Sequence, residues 1–187
     1  MTQTLVILDR DGVINHDSDN YIKSVNEWAP IPGSIDAVVR LSQAGYKVVV
    51  ATNQSGLARG YFDEIALANI HSYMCSVVED AGGNIDAIFY CPHGPEDGCS
   101  CRKPLPGMLN QLEDEFNLSV QNSFFVGDTE KDIDVALVKH CRPVLVRTGK
   151  GAAAEKQLDL KKKELVLIVD DLAAAVDFIL SLFLISL

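Results

Sequence analysis

Short apolar runs alternate with amphipathic segments along most of the chain. The first run, Leu5–Leu8, ends in an acidic loop, and a second run of the same kind covers residues 48–51. Unbroken runs of β-branched and apolar residues are typical of strands that are buried on both faces of a parallel sheet. Further runs predict strands at 85–90, 123–126, 143–146 and 165–169.

The segments between these runs have the spacing of helices. They predict helices over residues 34–44, 63–81, 107–117 and 131–140, and from Leu172 onward. Ser34 is a candidate N-cap of the first helix and Gly45 a candidate stop. Residues 149–163, small residues followed by three lysines, are expected to form a linker-like surface stretch.

Strands that alternate with helices predict an α/β fold with helices on both faces of a mainly parallel sheet. We therefore expect a single doubly wound, Rossmann-like domain over residues 1–187, a length that suits one domain. Ligands of such sheets bind beyond the carboxyl ends of the strands, near the point where the strand order reverses.

The composition narrows the range of partners. The chain has 16 Lys and Arg against 26 Asp and Glu, a formal net charge of −10. Nucleic acids and anionic membranes are therefore not expected as partners, because both require a basic surface. The apolar tail, residues 172–187, is shorter than the roughly 20 residues of a membrane span, and we expect it to dock on the core, with a subunit contact as the alternative. The start of the sequence lacks the basic residues of a signal peptide, so we expect a cytoplasmic protein. We also expect it to be a monomer.

Polar side chains follow several of the predicted strands. Asp9 and Asp11 come after the first strand, Thr52 after the second and Asp128 after the fourth, while Lys103 precedes a predicted helix. Alone, the acidic pair could be an ordinary turn. Because the carboxyl ends of parallel strands share one edge of the sheet, we expect the whole set to converge there.

This set of motifs, in this order, resembles the haloacid dehalogenase superfamily of phosphotransferases. The resemblance implies that Asp9 attacks phosphorus and forms an aspartyl-phosphate, and that Asp11 acts as general acid and then general base. It also implies that Thr52 binds a phosphate oxygen and that Lys103 neutralises charge on the transferred group.

The same resemblance implies a bound Mg²⁺. A carboxylate and a phosphate dianion repel each other, and Mg²⁺ is a hard ion that favours oxygen ligands. The implied ligands are Asp9, the backbone carbonyl of Asp11, and Asp128. The intervals from Asp9 to Thr52 and from Thr52 to Lys103 are filled by predicted sheet elements, so we expect a capless enzyme without an inserted second domain.

A cysteine cluster precedes Lys103. Cys91, His93, Cys99 and Cys101 have the pattern Cys-x-His-x₅-Cys-x-Cys, which suits a closed structural Zn²⁺ site. The alternative is a set of small buried cysteines with a surface histidine. As an insertion over residues 91–103, a zinc loop would aim the residues that directly follow Cys101 at the phosphate.

Three segments resemble a narrower family, the D-glycero-D-manno-heptose 1,7-bisphosphate 7-phosphatases, which act in the synthesis of nucleotide-activated heptose for bacterial lipopolysaccharide. They are DRDGVIN at 9–15, TNQSGLARG at 52–60 and CRKP at 101–104. The resemblance implies a phosphorylated sugar as substrate. The substrate contacts that it implies lie on three segments of the chain: Asp17, Tyr21, Asn53, Gln54, Ser55 and Arg102.

Other interpretations remain open. Histidinol-phosphate phosphatases share the short zinc loop, but they tend to carry an Asp where this chain has Ser55. Thr129 stands where some members of the heptose family have a basic residue. A receiver-like signalling domain also phosphorylates an aspartate, and a zinc-binding scaffold would have no activity.

Overall fold

Six parallel strands form the sheet at the centre of the molecule, in the computed structural model that describes residues 5–185. The strands are β1 Leu5–Leu8, β2 Lys47–Asn53, β3 Ala87–Cys91, β4 Phe124–Gly127, β5 Arg142–Val146 and β6 Leu167–Val169. Their order is β3-β2-β1-β4-β5-β6, and every neighbouring pair is parallel. This is the Rossmann order and confirms the predicted fold class, whereas receivers have the order 2-1-3-4-5.

Seven α-helices are present among the described residues. They are α1 Ser34–Gln43, α2 Glu64–Asp80, α3 Gly107–Phe116, α4 Glu130–Val138, α5 Gly151–Gln157, α6 Leu160–Leu165 and α7 Leu172–Ile185. The predicted helices agree with five of these within a few residues. The expected linker at 149–163 was wrong, because α5 lies within it and α6 begins in it.

The predicted N-cap of α1 was also wrong. Gly33 is the cap residue, with a φ of +83° that favours glycine, and Ser34 is the first residue of the helix. The hydroxyl of Ser34 instead donates a hydrogen bond to the carbonyl of Ile14, at 2.6 Å. The serine therefore ties the helix to the loop that follows β1.

Each strand presents alternate side chains to two apolar layers. Val6 and Leu8 of β1 face a layer that also contains buried residues of α1, α2 and α7, whereas Leu5 and Ile7 face α3 and α4. Burial on both faces explains why the strands are unbroken apolar runs.

The predicted docking of the tail is confirmed for the described part of α7. Its buried residues recur at helical spacing: Leu172, Ala175, Val176 and Ile179. The last two residues of the tail and the first four of the chain lie outside the described residues. Within the described part, no helix combines the length and apolar character needed to cross a bilayer.

The order of the strands reverses between β1 and β4. The chain runs from β1 outward to β2 and β3, then returns to β4 on the other side of β1. The N–H of Asp9 donates to the carbonyl of Val126 at 2.9 Å, so the ends of these two strands lie side by side. All the helices between the motif residues cover this sheet, which agrees with the capless architecture.

Candidate active site

The loop after β1 is tightly wound. The carbonyl of Arg10 accepts a hydrogen bond from the N–H of Ile14 at 2.8 Å, and Gly12 has a φ of +81°. A Cβ atom at Gly12 would lie 2.1 Å from Oδ2 of Asp128, so only glycine allows the β1 and β4 loops to approach this closely. The hydroxyl of Thr148, in the loop after β5, donates to the Gly12 carbonyl at 2.6 Å and fixes that loop against the loop after β1.

Three buried carboxylates meet at the reversal point. Asp9, Asp128 and Asp132 each offer an oxygen within 4.8 Å of the others. Oδ2 of Asp128 accepts from the backbone N–H of Lys150 at 2.8 Å. Oδ2 of Asp132 accepts from the N–H of Thr129 at 3.0 Å and from its hydroxyl at 2.6 Å, as part of a capping box at the start of α4.

Lys103 is the cation of this cluster. Its side chain is 2 % exposed, and Nζ lies 3.0 Å from Asp9 and 2.6 Å from Asp132. Nζ also donates to the carbonyl of Ala51 at 2.8 Å. Burial opposes the positive charge, yet Asp132 and Asp9 hold the pKa of Lys103 above its ordinary value. Lys103 is therefore charged and points at Asp9.

The side chain of Asn53 holds the backbone of Lys103. Its Nδ2 donates to the Lys103 carbonyl at 3.2 Å, and its Oδ1 accepts from the Lys103 N–H at 3.0 Å. Asn53 was predicted to contact substrate. It does line the cavity, but both ends of its amide are already engaged by Lys103.

The charges of the cluster fit a divalent cation. With all three carboxylates ionised, the one ammonium would leave the cluster with a net charge of −2. Burial raises the pKa of Asp9 to about 7, although Lys103 opposes the shift. Burial and the charges of Asp9 and Asp132 raise the pKa of Asp128 to about 8. Buried carboxylates whose ionisation is this unfavourable suit Mg²⁺, which would stabilise the charged forms.

Asp11 lies beside the cluster with its carboxylate held on several sides. Nη2 of Arg10 donates to both oxygens, at 2.9 and 2.8 Å. Nδ2 of Asn15 donates to Oδ1 at 2.8 Å, and Nε2 of Gln54 donates to Oδ2 at 2.9 Å. Burial would raise the pKa of Asp11, but Arg10 and these hydrogen bonds hold it below its ordinary value.

Thr52 is the second-last residue of β2, and its hydroxyl lies at the base of the site. Nε2 of Gln54 donates to Thr52 Oγ1 at 3.0 Å, so the hydroxyl oxygen is an acceptor there and its own proton is left to point elsewhere. That proton is suited to a phosphate oxygen. Gln54 was predicted to contact substrate, but it is 3 % exposed and its amide nitrogen serves Thr52 and Asp11.

A cavity of about 370 Å³ opens above these groups. All the predicted catalytic and substrate-contact residues line it, including Ser55, Asp17 and Tyr21. Its cationic side chains besides Lys103 come from four different segments: Arg59, Arg102, Lys131 and Lys150.

Three of the basic residues lie where the sequence did not place them. Lys150 extends from the loop after β5 and forms an ion pair with Asp17 at 2.9 Å. Lys131 also lines the cavity. It lies two positions after Thr129, the residue that replaces the basic side chain of some members of the heptose family. Arg10 directly follows Asp9 in the chain but does not line the cavity, because it is fully buried beneath the loop.

The cysteine cluster has the geometry of a tetrahedral metal site. Sγ of Cys91 lies 3.6 Å from Sγ of Cys99 and 3.2 Å from Sγ of Cys101, and Nδ1 of His93 lies 3.3 Å from Sγ of Cys101. Ligand atoms around Zn²⁺ are separated by about 3.5–3.8 Å, as follows from the usual bond lengths, so the Cys91–Cys99 distance lies in this range and the two distances to Cys101 are slightly shorter. These four residues therefore fit a closed Zn²⁺ site.

The cluster stabilises the segment that carries Lys103. Nη1 of Arg102 donates to the carbonyl of His93 at 3.1 Å, and the N–H of Gly107 donates to the carbonyl of Ser100 at 3.0 Å. A Cβ atom at Gly107 would lie 2.5 Å from that carbonyl oxygen, so the start of α3 packs directly on the loop.

Comparisons with known proteins agree with this geometry. The family described as "Polynucleotide kinase 3 phosphatase" matches residues 1–172. The D-glycero-beta-D-manno-heptose-1,7-bisphosphate 7-phosphatase of Pseudomonas aeruginosa is 52 % identical over 180 residues, which cover 96 % of this chain and 99 % of that protein. The protein of the same name from Pseudomonas putida is 52 % identical over 170 residues, covering 91 % of this chain and 95 % of that protein.

A solved structure is similar along the whole chain. The crystal structure of the D,D-heptose 1,7-bisphosphate phosphatase from Bordetella bronchiseptica, complexed with magnesium and phosphate, has a TM-score of 0.91 and 47 % sequence identity. The match covers 96 % of this chain and 99 % of that chain.

Proposed function

The chain belongs to the family of D-glycero-beta-D-manno-heptose-1,7-bisphosphate 7-phosphatases, and from this membership we propose that it hydrolyses the 7-phosphate of the β-anomer of that sugar bisphosphate. It is a phosphoric monoester hydrolase with the haloacid dehalogenase fold. The sequence alone left the anomer open, and the names of the relatives support the β form.

The first half of the proposed reaction transfers the phosphoryl group to Asp9. A carboxylate oxygen of Asp9 attacks phosphorus, the bond from phosphorus to O7 of the sugar breaks, and Asp11 gives its proton to that oxygen. Lys103, 3.0 Å from Asp9, and the hydroxyl of Thr52 bind the charge on the transferred group. The phosphate dianion arriving beside Asp11 favours the protonated form that this step needs.

The second half releases inorganic phosphate. Asp11, now ionised, takes a proton from a water that attacks phosphorus, and the bond to Asp9 breaks. The lowered pKa of Asp11 keeps the carboxylate ionised, the form in which it can accept this proton. Mg²⁺, for which Asp9, Asp128 and the carbonyl of Asp11 are the expected ligands and Asp132 an additional carboxylate, supplies positive charge against the phosphate oxygens.

The observation that carries the choice of substrate is the number of cations in the cavity. One phosphate beside Asp9 is served by Lys103 and the expected Mg²⁺. Lys150 is paired with Asp17, but Arg59, Arg102 and Lys131 are additional, and they support a substrate with a second anionic group, as a sugar bisphosphate has. Histidinol phosphate has only one phosphate, and these cations would repel its positively charged amine.

The test is a comparison of two phosphoesters. We expect kcat/KM for the β-anomer of heptose 1,7-bisphosphate to exceed that for histidinol phosphate by at least about 100-fold, which corresponds to one well-made charge-assisted contact of about 3 kcal/mol. The Asp9→Asn variant should release no phosphate from either compound. Preferential hydrolysis of histidinol phosphate would overturn the choice of substrate.

We further propose a cytoplasmic monomer that acts in nucleotide-heptose synthesis for lipopolysaccharide. A reducing compartment is supported by the five free cysteines, of which three belong to the metal cluster and two, Cys75 and Cys141, are isolated thiols. Sedimentation analysis of the purified protein tests the expectation of a monomer.

A further inference from the structure

Arg10 lies between the two catalytic carboxylates of the first loop, but its side chain turns away from the cavity. The residue is 0 % exposed. Its Nε donates to Oδ1 of Asp11 at 3.1 Å, and its Nη2 donates to both oxygens of the same carboxylate. A planar guanidinium bound in this way restricts the rotation of the carboxylate it contacts.

The other end of the guanidinium contacts a residue of α2 that lies 61 positions away in sequence. Nη1 of Arg10 is 3.2 Å from Nε2 of His71. Because arginine can only donate, Nε2 must be the acceptor and the ring proton must be on Nδ1. Burial and the charge of Arg10 lower the pKa of His71 to about 3, which is consistent with a neutral ring.

The imidazole is itself fixed in place. His71 is 8 % exposed, and its ring lies against the ring of Tyr90 at 60°, with 5.9 Å between the centroids. It does not line the cavity above Asp9 and cannot touch the substrate there. Among the described residues, the hydrogen bond found for the His71 side chain is the one to Arg10, and Arg10 in turn holds Asp11.

We propose that His71 is a positioning residue for proton transfer, which acts through Arg10 to hold the Asp11 carboxylate towards the leaving oxygen. The proposal rests on the proposed role of Asp11 as general acid. Without the acceptor on His71, one arm of the buried guanidinium loses its partner, and the arginine can rotate away from Asp11. Asn15 and Gln54 would still hold Asp11, so the expected loss is partial.

The test uses the dependence on the leaving group. The two substrates compared are heptose 1,7-bisphosphate, which has an alkoxide leaving group, and p-nitrophenyl phosphate. The alkoxide needs the proton of Asp11 when its bond to phosphorus breaks, whereas p-nitrophenolate leaves as a stable anion without it. For both substrates kcat/KM reports the steps up to the cleavage of this bond. In His71→Leu, we expect kcat/KM for heptose 1,7-bisphosphate to fall about tenfold or more, within the range that general acid catalysis contributes. We expect kcat/KM for p-nitrophenyl phosphate to change less than about threefold.

Two further variants separate positioning from folding. His71→Gln keeps a side-chain acceptor and should restore most of the activity on the sugar substrate. Ser72→Ala changes an exposed neighbour on the same helix and should leave both values as in the wild type. The thermal midpoint of each variant is measured together with the kinetics. If His71→Leu does not fold, kcat/KM for the two substrates is compared in His71→Gln and Arg10→Lys instead.

Each outcome has a defined meaning. A selective loss on the sugar substrate supports the proposal, and an equal loss on both substrates, or no loss on either, overturns it. If His71→Gln and Arg10→Lys are used instead, a loss of kcat/KM on the sugar substrate alone in Arg10→Lys, with retained activity in His71→Gln, supports the proposal. An equal change of kcat/KM on both substrates in Arg10→Lys overturns it. A wild-type protein that fails to hydrolyse the sugar substrate would instead contradict the proposed function, so the two failures are distinguishable.

Discussion

Replacing Lys103 with methionine removes the only ammonium that contacts the carboxylate cluster among the described residues. The side chain is 2 % exposed and its Nζ lies 3.0 Å from Asp9 and 2.6 Å from Asp132. Breaking a buried ion pair by removing one partner typically costs about 3–5 kcal/mol. Asp9 can take up a proton near neutral pH, because its pKa is about 7, and this limits the cost to the lower end of that range.

The effect on catalysis has a separate origin. Removing one group that binds the developing charge of a transition state lowers kcat by about 10²–10³-fold. We therefore expect Lys103→Met, assayed by phosphate release at saturating Mg²⁺, to lose at least about 100-fold in kcat. Urea unfolding at pH 6 and pH 8 should show a larger loss of stability at pH 8, where fewer of the remaining carboxyl groups are protonated.

The matched control is Lys161→Met, which removes an exposed lysine of α6 that does not line the cavity. It should keep kcat within about tenfold of the wild type, since a solvated charge is worth about 1 kcal/mol or less. A Lys103→Met protein with kcat within tenfold of the wild type would refute the reasoning about the cluster.

Three other outcomes follow from the same geometry. In Asn53→Ala, both hydrogen bonds to the Lys103 backbone are lost, about 1–3 kcal/mol in total, so kcat should fall while KM stays near the wild-type value, and a change in KM alone would contradict this role. In Cys101→Ser, metal analysis should show loss of zinc and phosphate release should fall at least about tenfold, while the thermal midpoint stays close to that of the wild type; a zinc-free variant with full activity would contradict the role of the loop. Because the pKa values of Asp9 and Asp128 are raised to about 7 and about 8, the Mg²⁺-free protein should lose stability as pH rises from about 4 to about 8, and added Mg²⁺ should raise the thermal midpoint more at pH 8 than at pH 5.5, with equal shifts at both pH values contradicting the assignment.

The sequence predicted the sheet because the strands are buried on both faces. The runs at Leu5–Leu8 and Lys47–Asn53 are nearly continuous apolar segments, and a segment of that kind has few other structures open to it. The position of the site followed from the rule for carboxyl ends, since Asp9 and Asp128 come directly after a strand and Thr52 lies in the last two residues of one.

What the sequence did not predict depends on contacts between distant segments. Arg10 is buried with its guanidinium against His71 of α2, a contact that no local pattern shows. Lys150 joins the cavity because the loop after β5 docks on Gly12, and Thr148 and Gly149 look like an ordinary exit from a strand. The helices α5 and α6 are short and consist mainly of small residues and lysines, with little apolar periodicity. Such a composition suits a surface helix and a loop equally well, so the sequence did not distinguish the two.

The transfer of the 7-phosphate to Asp9 is the central claim, and one labelling experiment tests it directly. The Mg²⁺-loaded protein is mixed with heptose 1,7-bisphosphate that carries ³²P only at the 7-position, quenched in acid at short times and digested. The label should appear first on the peptide that contains Asp9 and then as inorganic phosphate, while the sugar keeps its 1-phosphate. Label that stays on the sugar while unlabelled phosphate is released, or that reaches phosphate without passing through Asp9, would contradict the account.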